Sequence, residues 1–489
     1  MTDKKTTLKI LDSVNCKFCD LDPFVRRQIV DKLKFFVPYA RHTPMFKTGR
    51  WDGKVAFATA GGATYINLLD RVLDIVYDAG YEIEIEDLRP QYHFEFPEID
   101  ESYLADRTWP KGHPMEGQPI MLRDHQVAAA NTFFKNTQSI QELATGAGKT
   151  ILCAALSVAC EKYGKTLVIV PSKSLVRQTE ADYVNIGLDT GVYFGDQHDI
   201  DKQHTIATWQ SLEAWAKASR QGTAIVDIKE FLKNVICVIT DEVHSAKAQI
   251  LKDLLSGPLA HCPIRWGCTG TVPKEDVDFL SLLSCIGPVV GSVSAKSLMD
   301  KDILSNLHIN IIQTDDSHVE FSDYHAETEW LATNQERTAF LANFYDGLRK
   351  EHGNTLILVN SIESGKKLEK LIPNSKFISG VTKLKDRSEE YEDFAGIDDK
   401  ILIATYGIAA VGISITKISC LVLAGGVAKS FTRCIQAIGR GLRRGNGKDF
   451  VHVYDVTSNL KYSKKHLSIR KQYYKDAEYP MSIKKVNYR

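Results

Sequence analysis

A set of short runs, largely apolar throughout rather than on alternate residues, limits the fold of this chain more than any other feature. Four of them, "TLVIVP" (166–171), "HTIAT" (204–208), "VICVITDE" (235–242) and "IRWGCTGT" (264–271), form a first series. Five more, "TLILVNS" (355–361), "KFISG" (376–380), "KILIAT" (400–405), "ISCLVLAGG" (418–426) and "FVHVYDV" (450–456), form a second. A strand that hides both faces belongs in a parallel sheet covered by helices on both sides, and helical spacing fills the gaps between these runs. Two series imply two such domains in tandem, joined around residues 296–330.

Residues 1–93 alternate differently. "FVRRQIVDKLKFFV" and "INLLDRVLDIVYDAGY" read as helices, and "GKVAFAT" and "YEIEIEDL" as strands, which makes a small α+β unit. The stretch after it, rich in Pro and acid, reads as a linker, although its aromatics could pack on a domain. The expected plan is α/β: an N-terminal α+β domain (1–93), a linker (94–115), two parallel-sheet domains (116–300 and 301–456) and a basic C-terminal segment (457–489). A chain of 489 residues has room for two to four domains at about 100–200 residues each.

Lys+Arg and Asp+Glu both number 61, so net charge points to no polyanionic partner, but its distribution does. Between Val451 and Arg489 nine Lys/Arg face three acids, a balance of +6, with Tyr462, Tyr473, Tyr474, Tyr479 and Tyr488 interleaved. That mix suits nucleic acid, a solvated tail being the bland alternative. No run approaches the ~18 apolar residues of a membrane span, and "MTDKKTTLKI" has no signal-peptide core, so a cytoplasmic protein is expected. The ten cysteines sit mostly in apolar runs, and Cys16 and Cys19 lack the second ligand pair that a zinc site needs.

The stretch "ELATGAGKTILCAA" (142–155) has the chemistry of a phosphate-binding loop. Gly146 and Gly148 permit a tight path that turns several N–H groups toward one anion, and the helical spacing after them places a helix N-terminus there. Lys149 would reach the β and γ phosphates and Thr150 would hold Mg²⁺. The usual loop has a glycine five residues before Gly148, where this chain has Leu143. A second signal lies about 90 residues on, where an apolar strand ends in Asp241-Glu242, the place where an α/β sheet presents catalytic groups. Asp241 would hold the metal and Glu242 would polarise the attacking water. In the second series, "CIQAIGRGLRRG" offers Arg440 and Arg443 as cations for the charge that develops on a γ-phosphate.

Together these motifs resemble those of the superfamily 2 helicases of the DExH group, over about residues 120–445. The resemblance implies two RecA-like domains and residue roles beyond those read from the chemistry. Arg123 and Gln126 of "LRDHQ" match the adenine-reading element. "ATGAGKT", with Thr145, Gly146, Ala147, Gly148, Lys149 and Thr150, matches motif I, which does not require the early glycine. Pro171, Ser172 and Arg177 of "PSKSLVRQ" look like motif Ia, and Thr208 and Gln210 of "TWQS" like motif Ic, both contacting the nucleic-acid backbone in the family. "DEVH" matches motif II, with His244 linking nucleotide state to the domain. "TGT" (269–271) stands at motif III and "LVNSIESG", with Ser361, at motif IV. "ATYGIAAVGIS", with Thr405 and Gly412, resembles motif V, and Gln436, Gly439, Arg440 and Arg443 match motif VI. Ser414 stands where many members carry an acid, which weakens any ribose contact there and argues against a DEAD-box RNA helicase.

"MFKTGRWDGKVAFA" (45–58) is similar to the GxWDG element in the N-terminal domain of UvsW-type phage helicases. Arg50, Trp51 and Lys54 become candidate DNA contacts, the structural alternative being a tight Asp-Gly turn with a half-buried Trp. Lys464 and Lys465 are candidates in the basic segment. The resemblance implies an ATP- and Mg²⁺-dependent DNA helicase, moving 3′ to 5′, that remodels branched or forked DNA as a monomer, alongside recombination or replication proteins. The alternatives are a duplex translocase without strand separation, an RNA helicase, and an annealing or scaffold protein with a vestigial ATP site.

Overall fold

The computed structural model describes residues 4–113, 115–242, 248–273, 276–382, 389–391, 393–394, 396–409, 418–425 and 449–489. It divides into two compact units, residues 1–143 with 148–292 and residues 144–147 with 293–489.

The first unit opens with a four-stranded sheet of β1 (Lys4–Ile10), β2 (Asn15–Phe18), β5 (Ala63–Tyr65) and β6 (Tyr81–Asp87) in the order β5-β2-β1-β6. A short ribbon of β3 (Lys34–Phe36) and β4 (Lys54–Ala56) lies beside it in the chain. β1 and β6 run parallel, with Lys5 opposite Glu82 and Lys9 opposite Glu86. Lys9 and Glu86 meet at 2.9 Å on the outer face, while Thr6, Leu8 and Ile10 are buried beneath. Cys16 is packed in this core, and burial pushes its thiol up to about 12, so it is an inert packing residue.

The large sheet of the same unit runs β10-β9-β11-β8-β12-β13-β7-β14. Its strands are β7 (Gln138–Leu143), β8 (Lys165–Val170), β9 (Thr190–Phe194), β10 (Gln197–His198), β11 (His204–Thr208), β12 (Val235–Asp241), β13 (Ile264–Thr269) and β14 (Val289–Val293). The neighbours from β9 through β7 pair in parallel, as the doubly apolar runs require.

Two segments pack more closely on the large sheet than their sequence patterns record. Residues 1–93 are not a free-standing domain, because their packing continues into the large sheet. Val14 lies in the core of the large-sheet layer, and Val277 and Leu280 lie in the N-terminal core. Backbone and amide groups cross the seam, with Ser13 N–H donating to Ala260 O at 3.0 Å and Asn15 Nδ2 to Ser256 O at 2.9 Å. The buried Lys252 ammonium sits 4.8 Å from the Phe57 ring centre and 5.8 Å from that of Tyr65, a cation–π grip in a desolvated place. The aromatics of the linker, residues 94–115, do pack on this layer. Phe96 stacks on Phe134 and tilts against Trp266, Leu104 is fully buried, and Arg107 donates to the carbonyls of Ile186 and Gly187. The segment is a strap whose aromatics and guanidinium are spent on the first parallel-sheet layer.

The second unit holds seven parallel strands in the order β17-β18-β16-β19-β20-β15-β21. These are β15 (Asn306–Thr314), β16 (Thr355–Val359), β17 (Ser375–Ile378), β18 (Ile401–Thr405), β19 (Cys420–Ala424), β20 (Phe450–Ser458) and β21 (Met481–Val486). The supposed basic tail is part of this sheet. A helix, Lys461–Asp476, packs back on the unit, and β21 adds to the edge by pairing with β15 from Ile309↔Met481 to Thr314↔Val486. Among the described residues no helix is long and apolar enough to cross a membrane.

Candidate nucleotide and nucleic-acid site

β7 runs through Leu143, whose side chain is buried, so the position of the usual early glycine is still extended strand and tolerates a Cβ. The turn comes later, at Gly146 (φ 92°) and Gly148 (φ 78°), left-handed positions that suit glycine. Gly148 then caps the Lys149–Cys160 helix, whose first turn carries Lys149 and Thr150. Gln126 ties the preceding helix to this loop: its Nε2 donates to Gly148 O at 3.0 Å and its Oε1 accepts from Arg123 N–H at 2.8 Å. A Cβ on Gly148 would fall 2.4 Å from Gln126 Nε2. Gly148→Ala therefore carries both left-handed strain, ~1–2 kcal/mol, and a clash that pushes Gln126 away. ATP affinity is expected to drop by about tenfold or more in a titration with a fluorescent nucleotide, with the fold intact by circular dichroism.

β12 delivers Asp241 and Glu242 to the same place. Lys149 Nζ lies 2.6 Å from Glu242 Oε1, with both side chains largely buried, and Gly270 N–H donates to Glu242 Oε2 at 3.4 Å. Asp241 Oδ1 accepts the Glu242 N–H at 2.9 Å. Glu242 has φ 51°, uncommon for a residue with a side chain, and strain of this kind concentrates at functional sites. Burial pushes the Asp241 carboxyl up to about 6, against the pull of the Lys149 ammonium beside it. Burial works against the Lys149 charge too, but Glu242 and Asp241 outweigh it and hold the ammonium above its ordinary range. A phosphate at Lys149 would compete with the Glu242 carboxylate for the ammonium. Sequence patterns missed Glu142, whose Oε1 accepts the Val272 N–H at 3.2 Å and fixes the loop after β13. Nothing local in the sequence distinguishes that carboxylate.

Five of the expected nucleic-acid contacts lie at carboxyl ends of strands, three in the first unit and two in the second. Pro171 and Ser172 follow β8, Thr208 ends β11, Ser361 follows β16 and Thr405 ends β18. Ser172, Thr208 and Ser361 each accept the N–H of the residue three further on, as helix N-caps. The Thr208 hydroxyl is buried and also meets Ser211, so its part is to hold the turn. Gln210 is exposed and its Nε2 reaches Pro171 O at 3.3 Å, joining the two turns, while Arg177 is exposed beside the Phe194 ring. His244, Gly412, Ser414, Gln436, Gly439, Arg440 and Arg443 lie outside the described residues.

At the N-terminal turn the Trp51 indole N–H donates to Lys54 O at 2.8 Å and Asp52 accepts the Lys54 N–H at 3.0 Å. Trp51 is half-buried against the N-terminal core, so its ring is occupied in holding the turn. Arg50 and Lys54 are exposed. The surrounding stretch, Lys34 to Lys54, also presents Arg41 and Lys47, with exposed Tyr39 and Met45, and its one acid, Asp52, is paired with Lys34 at 2.6 Å.

On the C-terminal helix Lys464 and Lys465 are exposed, but Arg470 is not available to any partner outside. Its guanidinium is buried in a bidentate pair with Asp455, at 2.8 and 3.0 Å, and Asp455 also accepts from Tyr474. Arg470→Ala strands the buried carboxylate and is expected to cost ~3–5 kcal/mol, lowering Tm by on the order of 10 °C. Lys464→Ala with Lys465→Ala should leave Tm unchanged and instead flatten the log–log salt dependence of DNA affinity by up to ~0.7–0.9 for each phosphate that is no longer neutralised.

This geometry, a phosphate-binding loop facing a strand-end Asp-Glu pair in one parallel-sheet unit with a second such unit following, defines an ATP-hydrolysing RecA-like motor. Residues 119–273 match the family described as type III restriction enzyme, res subunit, and residues 336–445 match the helicase conserved C-terminal domain. The chain belongs to the superfamily 2 helicases. It is 24% identical over 483 residues to the ATP-dependent DNA helicase uvsW of Enterobacteria phage T4, covering 93% of this chain and 91% of that one. It is 25% identical over 271 residues to the DNA 3′-5′ translocase XPB2 of Sulfurisphaera tokodaii, covering 54% of this chain and 51% of that protein. Among solved structures, the DUF1998 helicase MrfA bound to DNA and AMPPNP superposes with a TM-score of 0.55 at 14% identity, covering 81% of this chain and 55% of that one, a likeness of fold.

Proposed function

We propose that the chain is an ATP-driven DNA helicase or translocase that remodels branched DNA, moving 3′ to 5′, with Mg²⁺ held by Thr150 and Asp241. The observation that carries the branched-DNA reading is the basic, aromatic-bearing stretch at residues 34–54, around the β3–β4 ribbon, in the same compact unit that holds Lys149 and Glu242. Phosphate contacts there would be made by Arg41, Lys47, Arg50 and Lys54, which are exposed. The Mg²⁺ role fits a half-buried carboxylate near the Lys149 end of a helix, where a bound divalent cation would hold the acid ionised. The likeness to the phage helicase over nearly the whole chain supports the same reading.

Deleting residues 1–93 does not test it, since the deletion strips Val14 from the core of the next layer. A surface variant does. Arg41, Lys47, Arg50 and Lys54 changed together to Ala are expected to lower affinity for a fork and a four-way junction by about 10-fold or more, with single-strand affinity changed far less. Basal ATP turnover stays. Equal losses on every DNA shape would remove branch selection from the N-terminal sheet. A duplex translocase that separates no strands is the second reading, favoured by the match to a restriction-enzyme subunit. Triplex displacement without displacement of a duplex strand would establish it.

A further inference from the structure

The second unit contains a cavity of about 390 Å³ at the carboxyl ends of β16, β19 and β20, the end of an open parallel sheet where ligands bind. Its floor is apolar, built from Leu341, Leu368 and Val359. Two deep polar groups are under-used. The Tyr345 hydroxyl is fully buried and has no hydrogen-bond partner among the described residues. The Arg337 guanidinium is 4% exposed, and its contacts to Leu331 O, Thr314 Oγ1 and Asp316 Oδ2 are all 3.4–3.5 Å, at the weak end of the range. A buried donor without an acceptor is costly, so the Tyr345 hydroxyl, with the loosely held Arg337 guanidinium on the same cavity, points to a ligand that brings acceptors.

The rim narrows the class. Tyr324 and His466 stand edge to face at 5.2 Å, beside the hydroxyls of Thr328, Ser361 and Ser463. Ser463 and His466 bracket the exposed Lys464 and Lys465 on the Lys461–Asp476 helix. An aromatic rim, an apolar slot and a deep hydroxyl donor together suit a planar ring with an acceptor edge. We propose that the cavity takes a nucleobase. The strand the motor tracks is one source, a base turned out of its stack, and a free nucleotide is the other. The first source rests on the helicase reading above.

Tyr345→Phe is the discriminating variant. It keeps the ring and removes only a hydroxyl that bonds to nothing among the described residues, so the fold is expected to hold and a change in binding reports the ligand. Ala332→Phe, which fills the cavity from its helical wall, is the second. The probe is a 20-nucleotide single strand bound by the full-length chain, carrying an abasic site or 2-aminopurine at each position in turn. One position is expected where the abasic site weakens binding about 5- to 10-fold and 2-aminopurine emission changes on binding. Both variants should bind the intact strand that much more weakly and lose the position dependence. The second arm titrates deoxyadenosine monophosphate and thymidine monophosphate without DNA. Saturable binding that Tyr345→Phe weakens, with a flat abasic scan, assigns the cavity to a free nucleotide. A flat scan with no nucleotide binding, or wild-type behaviour of both variants, overturns the proposal. Absence of all DNA affinity would instead remove the helicase reading, and the nucleotide arm would still decide the cavity.

Discussion

Glu242→Gln is expected to bind ATP and fail to turn it over. The carboxylate proposed to orient water is lost, and a positioned base of this kind contributes about 10²–10⁴-fold to rate. ATP affinity should hold or rise, because the amide no longer competes with phosphate for Lys149, which Glu242 contacts at 2.6 Å. Lys149→Met should behave in the opposite way. It removes the cation for the phosphates and leaves a carboxylate buried without its partner, a loss of ~3–5 kcal/mol in stability. Joining the two changes should recover most of that stability, since no unpaired charge remains, while ATP affinity stays low. The measurements are steady-state ATPase rates, titration with a fluorescent nucleotide, and thermal melts of the two single variants and the double. Near wild-type turnover by Glu242→Gln would remove this residue from the chemistry, and additive melts would show that the pair carries no energy of its own.

Arg443→Ala is expected to lower kcat by ~10³–10⁵-fold with little change in nucleotide affinity, the signature of a cation that acts on charge present only in the transition state. The motivation is the spacing Gln436, Gly439, Arg440, Arg443 after the second series of strands. Arg443→Lys should not restore the rate, because a point cation lacks the planar fork that spans two oxygens of a phosphoryl group. A rapid-quench measurement of one turnover separates the chemical step from binding. Full activity with Lys at 443 would make this arginine a surface residue.

What could be read from the sequence is what local chemistry imposes. A phosphate-binding loop needs glycines, a lysine and a hydroxyl at fixed spacing, so residues 145–150 were legible without the early glycine, and the structure shows why it is dispensable: Leu143 is still strand. The doubly apolar strands were legible because burial on both faces leaves no polar alternation, and Asp241-Glu242 stands out against such a run. β21 was not legible. Its segment "MSIKKV" is exposed and charged, and it is a strand only because β15 supplies the hydrogen bonds. The same holds for Arg470, which looks like its neighbours Lys464 and Lys465 until Asp455, fifteen residues earlier, claims it.

The residues themselves therefore determined which groups are proposed to meet a nucleotide, since those types and spacings follow from the phosphate and the backbone. Tertiary structure alone decided how the groups are held. The Lys149–Glu242 pair joins residues 93 apart, and Lys252 reaches Phe57 and Tyr65 nearly 200 residues earlier. Whether residues 1–93 stand alone or pack against the next layer turned on Val14, Val277 and Leu280, apolar residues with no periodic signature of their own. Contacts between distant segments depend on the folded path of the chain, and no local pattern records that path.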